Sequence, residues 1–131
     1  MIELDFSIET LANARAFLQL EMRSQWIYRL LLARLYYAAH HLPRLLLRSV
    51  GLAPEQWRRD VHHRVWSELR QHYVNIGRMN IRTLNILERL RRRRIRADYE
   101  LHFVIRDEYM DEAVVLFADY LNACQQILGV T

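Results

Sequence analysis

Trp26 to Arg48 reads WIYRLLLARLYYAAHHLPRLLLR, and the other segments look built to cover it. Apolar residues recur at Ile27, Leu30, Leu31, Ala38, Leu42, Leu45 and Leu46, the three-and-four spacing of a helix stripe wide enough to need partners on several sides. The stretch is too long for a strand. Arg34, Tyr37 and His41 follow one another at intervals of three and four residues, so a guanidinium, a phenol and an imidazole share one helix face over about two turns. Pro43 removes the helical bond to the carbonyl of Ala39, which predicts a kink just after the His40-His41 pair.

Outward from this stretch, Ser7 is expected to cap a first helix running to about Glu21, with Leu11, Ala14, Phe17 and Leu18 on its apolar side. The central helix spans about Ser24 to Val50, and Gly51 ends it. Pro54 suits the first turn of a third helix, whose buried side carries Trp57, Val61, Val65, Trp66, Leu69 and Tyr73. Asn75-Ile76-Gly77 reads as a break. A further helix covers roughly Ile81 to Arg94, and the segment from Ile95 to Ile105 reads as partly extended. Asp107 is expected to cap a last helix that Gly129 ends, with Val114, Leu116, Phe117, Tyr120, Leu121, Ile127 and Leu128 inward.

With 131 residues the chain matches a single domain over residues 1–131, and 52% hydrophobic content excludes disorder. Only three Gly and two Pro interrupt it. The fold expected is therefore all-α, an antiparallel up-and-down bundle of four to five helices.

All 19 basic residues are arginine and the formal net charge is +4. A GC-rich genome explains the absence of lysine without any function, yet forked guanidiniums suit phosphate, so the surface is chemically able to hold nucleic acid. Near a helix C-terminus, the run Arg89 to Arg94 serves the helix dipole or a phosphate equally well. Cys124 is the only cysteine, which excludes an internal disulfide, and its apolar surroundings point to a buried structural thiol. MIELDFSIET lacks the pattern of a secretory leader, and Arg29, Arg34, Arg44 and Arg48 interrupt the most apolar stretch, so a cytoplasmic protein without membrane contact is expected. No Gly-rich phosphate loop, serine nucleophile motif or zinc-type cluster occurs, and neither metal nor cofactor is expected.

Three blocks in order, ARLYYAAHH, VHHRV and RIRADYE, resemble the small stand-alone prokaryotic branch of the HEPN family, with the similarity covering about Leu11 to Leu128. The matching positions are Arg34, Tyr36, Tyr37, Ala38 and His41, then His62, then Arg94, Ala97, Asp98 and Tyr99. Pro43 and His40 depart from the family pattern, which there continues with a small and an apolar residue. The resemblance implies an up-and-down helical bundle, frequently a homodimer, in toxin-antitoxin and defence settings, often with a nucleotidyltransferase partner. Many members are metal-independent ribonucleases that use an Arg followed by a His with four to six residues between them.

That spacing occurs four times here, close to what the composition gives by chance, so position carries the argument. Arg34 to His41 coincides with the first block, and Arg96 to His102 lies where the wider family's ribonuclease motif falls. These four residues are the catalytic candidates, with His41 or His102 for proton transfer and Arg34, Arg94 or Arg96 for phosphate. Tyr37, Asp98, Tyr99 and His62 complete the RNA-facing candidates. A plainer reading makes Arg34, Asp98 and Tyr99 a buried network that ties the last connection to the second helix. Two functions follow from the resemblance: an RNA-cleaving toxin or defence effector, or a non-catalytic module that binds RNA, a nucleotide or a partner nucleotidyltransferase or antitoxin.

Overall fold

The computed structural model describes residues 1–130, and every regular element among them is helical. The elements are α1 (Ile2–Gln19), α2 (Gln25–His41), α3 (Pro43–Arg48), α4 (Val61–Leu69), α5 (Ile81–Tyr99) and α6 (Asp107–Leu128), with a 3-10 turn at Pro54–Gln56 and a π-helical turn, Arg70–Val74, that continues α4. Among them α1, α2, α5 and α6 form an up-and-down bundle. Phe6 near the start of α1 meets Tyr37 near the end of α2. Arg29 early in α2 reaches Ala97 late in α5, and Arg93 of α5 meets Glu112 near the start of α6. The helices α2 and α6 run parallel across the core, since Tyr28 pairs with Asp107 and Tyr120 with Ala39. No helix among the described residues is long and apolar enough to cross a membrane.

The stripe of α2 faces several neighbours at once. Leu32, Leu35, Ala38 and Ala39 are all at most 1% exposed, because α1, α5 and α6 cover three sides of the helix. Ser24 caps it, its hydroxyl accepting from the amide of Ile27.

At the expected kink the helix is interrupted at Leu42, between α2 and α3, while the Leu42 backbone keeps helical angles (φ −54°, ψ −42°). Pro43 frees the Ala39 carbonyl deep in the core, and the hydroxyl of Tyr120 donates to that carbonyl at 2.9 Å. A residue of the last helix thus completes a bond that a proline removed from the second. Tyr120→Phe should leave the carbonyl buried and unpartnered, costing about 2 kcal/mol in urea unfolding. In a Pro43→Ala background, where the backbone can supply the bond itself, the same change should cost about half as much; equal costs in both backgrounds would disprove the coupling.

Four boundaries differ from the sequence reading. The first helix begins at Ile2, and Ser7 lies fully buried inside it, because Leu4 also packs into the core and the acidic residues Glu3 and Asp5 suit the first turn. The third helix begins at Val61. After the turn at Pro54, Asp60 takes a left-handed conformation (φ +50°) that redirects the chain. Helix α5 continues through Ile95 to Tyr99, so the run Arg89 to Arg94 lies along its middle and does not serve its C-terminal dipole. Arg106 occupies the cap position of α6, while the Asp107 carboxylate accepts from the Tyr28 hydroxyl instead of capping.

Candidate functional site

Neighbouring residues near the end of α2 point to opposite sides of the helix. Tyr37 faces α1, and Tyr36 faces α4 and α5. Two sets of polar side chains follow from this division.

On the α1 side, the guanidinium carbon of Arg34 lies 4.6 Å from the Tyr37 ring centre, and the Tyr37 and His41 rings stand 4.3 Å apart. Arg34 is exposed and Tyr37 is 43% exposed, so the set is open to water. Beside it runs an apolar groove of about 300 Å³ between α1 and α2, lined by Phe6, Phe17, Leu30 and Arg34. Burial, with help from the charge of Arg44 and against that of Glu3, lowers the pKa of His41 below the ordinary imidazole value. At neutral pH it is therefore an uncharged base with a guanidinium along the same face.

On the other side, Tyr36, His62 and Glu88 form a hydrogen-bonded chain. Nδ1 of His62 meets the Tyr36 hydroxyl at 2.7 Å, and Nε2 meets Glu88 at 2.8 Å. Glu88 only accepts, so Nε2 carries the hydrogen and Nδ1 receives the phenol proton. Burial pushes Tyr36 up to about 12, which keeps it a phenol. Burial also lowers His62, against the opposing hydrogen bond from Glu88. In front of this chain lies a cleft of about 650 Å³ between α4 and α5, lined by His63, Trp66, Asn85, Arg91 and Arg92 among others.

His40 joins the two sides. Its ring centre is 5.8 Å from Tyr36, 6.1 Å from His62 and 5.5 Å from His41, and its Nδ1 is buried without a partner. Burial first, then the charges of His41, Arg44 and His62, pushes its pKa down to about 4. The unfolded chain takes up this proton near 6.5 and the folded chain only near 4, so His40 reduces stability progressively as pH falls through that window. The full shift corresponds to about 3 kcal/mol, less what the exposed ring edge retains through solvent. Urea unfolding at pH 7 and pH 4.5 should therefore show a smaller acid loss in His40→Leu than in the parent chain. Equal losses would exclude this role.

The remaining sequence candidates lie elsewhere. Arg96 is exposed and stacks over Phe103 at 4.6 Å, and His102 is exposed in the turn after α5. Both sit at the Arg29 end of α2, twelve residues from His41, or about 18 Å along the helix. Within one copy the two Arg-His pairs are separate sets. Asp98 pairs with Arg94 at 2.9 Å, Tyr99 is 71% exposed, and Arg34 lies on another face. The buried network of Arg34, Asp98 and Tyr99 is thus not formed, because α2 turns Arg34 toward α1 while Asp98 is engaged by Arg94 and Tyr99 stands in solvent. Arg94 also lies 5.9 Å from the Tyr36 ring centre. His62 has both ring nitrogens occupied, which leaves neither for a phosphate in this arrangement.

Glu88 and Trp66 were not singled out as site residues from the sequence. The available signal for Glu88 was a lone carboxylate ahead of an arginine run, with two of those arginines, Arg91 and Arg92, on its own helix face.

No family model, curated protein or solved structure matches this chain.

Proposed function

We propose that the protein acts on RNA as a HEPN-type, metal-independent endoribonuclease of a toxin or defence system. One observation carries this reading: Arg34, Tyr37 and His41 form a continuous, water-open stack in which a cation and a neutral imidazole share one face.

Each group has a definite task. His41 withdraws the proton of the 2′-hydroxyl, whose oxygen then attacks the adjacent phosphorus. Arg34 stabilises the charge that develops on the phosphorane oxygens. Tyr37 packs against both and fixes their orientation. The imidazolium formed at His41 then returns this proton, through water on the open face, to the departing 5′-oxygen. The products are a 2′,3′-cyclic phosphate and a free 5′-hydroxyl.

Incubation with single-stranded RNA in excess chelator tests the proposal. Cleavage that leaves cyclic-phosphate ends is the expected result. RNA left intact, or cleavage abolished by chelation, overturns it. A second reading, a HEPN module that binds RNA or a partner nucleotidyltransferase without cutting, is favoured by the mutual saturation of Tyr36, His62 and Glu88. RNA bound but uncut selects that reading.

A further inference from the structure

The cleft between α4 and α5 lies across α2 from the Arg34–His41 face. Its rim is made mostly of hydrogen-bond donors that the protein does not use. Arg91, Arg92, Asn85 and His63 make no side-chain hydrogen bond among the described residues. Two acids, Asp60 and Glu88, line it as well; Glu88 has its Oε2 taken by His62 at 2.8 Å. Its Oε1 stands 3.6 Å from Arg91 and 3.5 Å from Arg92, too long for good hydrogen bonds. Both guanidiniums therefore lie beside Glu88 with their donors free for another acceptor. Trp66 adds a half-buried aromatic surface, steadied by Arg70 at 5.4 Å from its ring centre. Behind these residues, the closed chain of Tyr36, His62 and Glu88 forms a rigid wall. A cavity of about 650 Å³ falls within the range of small-ligand sites.

Donors with open valences next to an indole match a ligand that has a flat ring and an acceptor-rich, negatively charged group. We propose that the cleft is a nucleotide site, with the base against Trp66 and the phosphate on Arg91 and Arg92. The site goes beyond the ribonuclease reading and does not depend on it. The nucleotide arrives either free or as one unit of an RNA strand.

The test titrates the full chain with AMP, with inorganic phosphate and with a 2′-O-methyl RNA 12-mer that cannot be cleaved, comparing Trp66→Ala, Trp66→Phe and Arg91→Gln/Arg92→Gln. Thermal melts confirm that each variant is folded. The surface arginine pair keeps the test open if Trp66→Ala does not fold. AMP or RNA binding should weaken about 5- to 100-fold in Trp66→Ala and recover largely in Trp66→Phe. The double arginine variant should weaken it and reduce its salt dependence, while inorganic phosphate should respond to the arginines and not to Trp66.

AMP binding with this pattern identifies a free nucleotide as the ligand. The same pattern with RNA alone identifies a unit of a strand. Binding that is unaltered in all three variants, or no binding of either AMP or RNA, overturns the inference. RNA cleaved normally with the cleft variants indifferent removes the cleft site and keeps the ribonuclease. AMP bound through Trp66 with RNA never cut does the reverse.

Discussion

His41→Ala is expected to lower chelator-resistant RNA cleavage by about 10²- to 10⁴-fold, the range over which a positioned proton-transfer group acts. The imidazole is half-buried and its pKa is lowered mainly by burial, so it is neutral at pH 7 and able to accept the 2′-hydroxyl proton. In the parent protein the rate should therefore fall as the pH drops into the range where His41 becomes protonated, and the alanine variant should lose that dependence. Arg34→Ala should cost a comparable factor, and Arg34→Lys should recover only part of it, because a point charge does not replace a planar fork on a phosphate. Both variants should melt within a few degrees of the parent, since Arg34 is exposed and makes no salt bridge among the described residues. His102→Ala separates the two Arg-His pairs. A full loss in His102→Ala with His41→Ala unaffected would move the chemistry to the other end of the bundle.

Arg29→Ala should produce the largest loss of stability, about 3 kcal/mol, or a fall of about 10 °C in Tm. One Arg29 nitrogen, Nη1, faces the carbonyls of Arg96, Ala97 and Glu100, the shortest contact being 2.9 Å to Ala97. The other, Nη2, donates to Phe103 at 2.6 Å and reaches Leu101 at 3.2 Å. A single guanidinium thus closes the carbonyl end of α5 and holds the segment that leads to α6. Gln25 adds a reciprocal pair to the same segment, donating to the Ile105 carbonyl at 2.7 Å and accepting from its amide at 2.9 Å. Removing Arg29 strands these carbonyls, and Arg29→Lys should restore less than half the loss, because one ammonium cannot span Ala97 and Phe103 together. Hydrogen exchange of residues 96–106 should accelerate in step. Unchanged Tm with unchanged exchange would refute the clamp.

The same clamp explains why the end of α5 was illegible. From sequence, Ile95 to Ile105 has weak periodicity and no capping residue, so an extended segment was the economical reading. The helix runs on to Tyr99 because its cap comes from a residue far away in the chain, and local pattern carries no trace of such a partner. Asp60 misled in the same way. Its left-handed turn separates Pro54 from α4, yet its neighbours in sequence look like one continuous helix.

The candidate site divides along similar lines. Spacing alone put Arg34, Tyr37 and His41 on one face, since helical periodicity is local and α2 is long and strongly patterned. Spacing also brought the kink at Pro43 into view. It could not reveal that Tyr120 would satisfy the carbonyl freed there, or that Glu88 and Tyr36 would occupy both nitrogens of His62.

The chain by itself determined the all-helical class, the central helix with its break, and the composition of the Arg34–His41 face, because each follows from contacts between residues three or four apart. Only the tertiary structure decided which arginine closes α5, which histidine is saturated and which stays open, and where a cleft lined with free donors forms. Those outcomes depend on pairs separated by 26 to 74 residues in sequence, whose meeting is set by how whole helices pack.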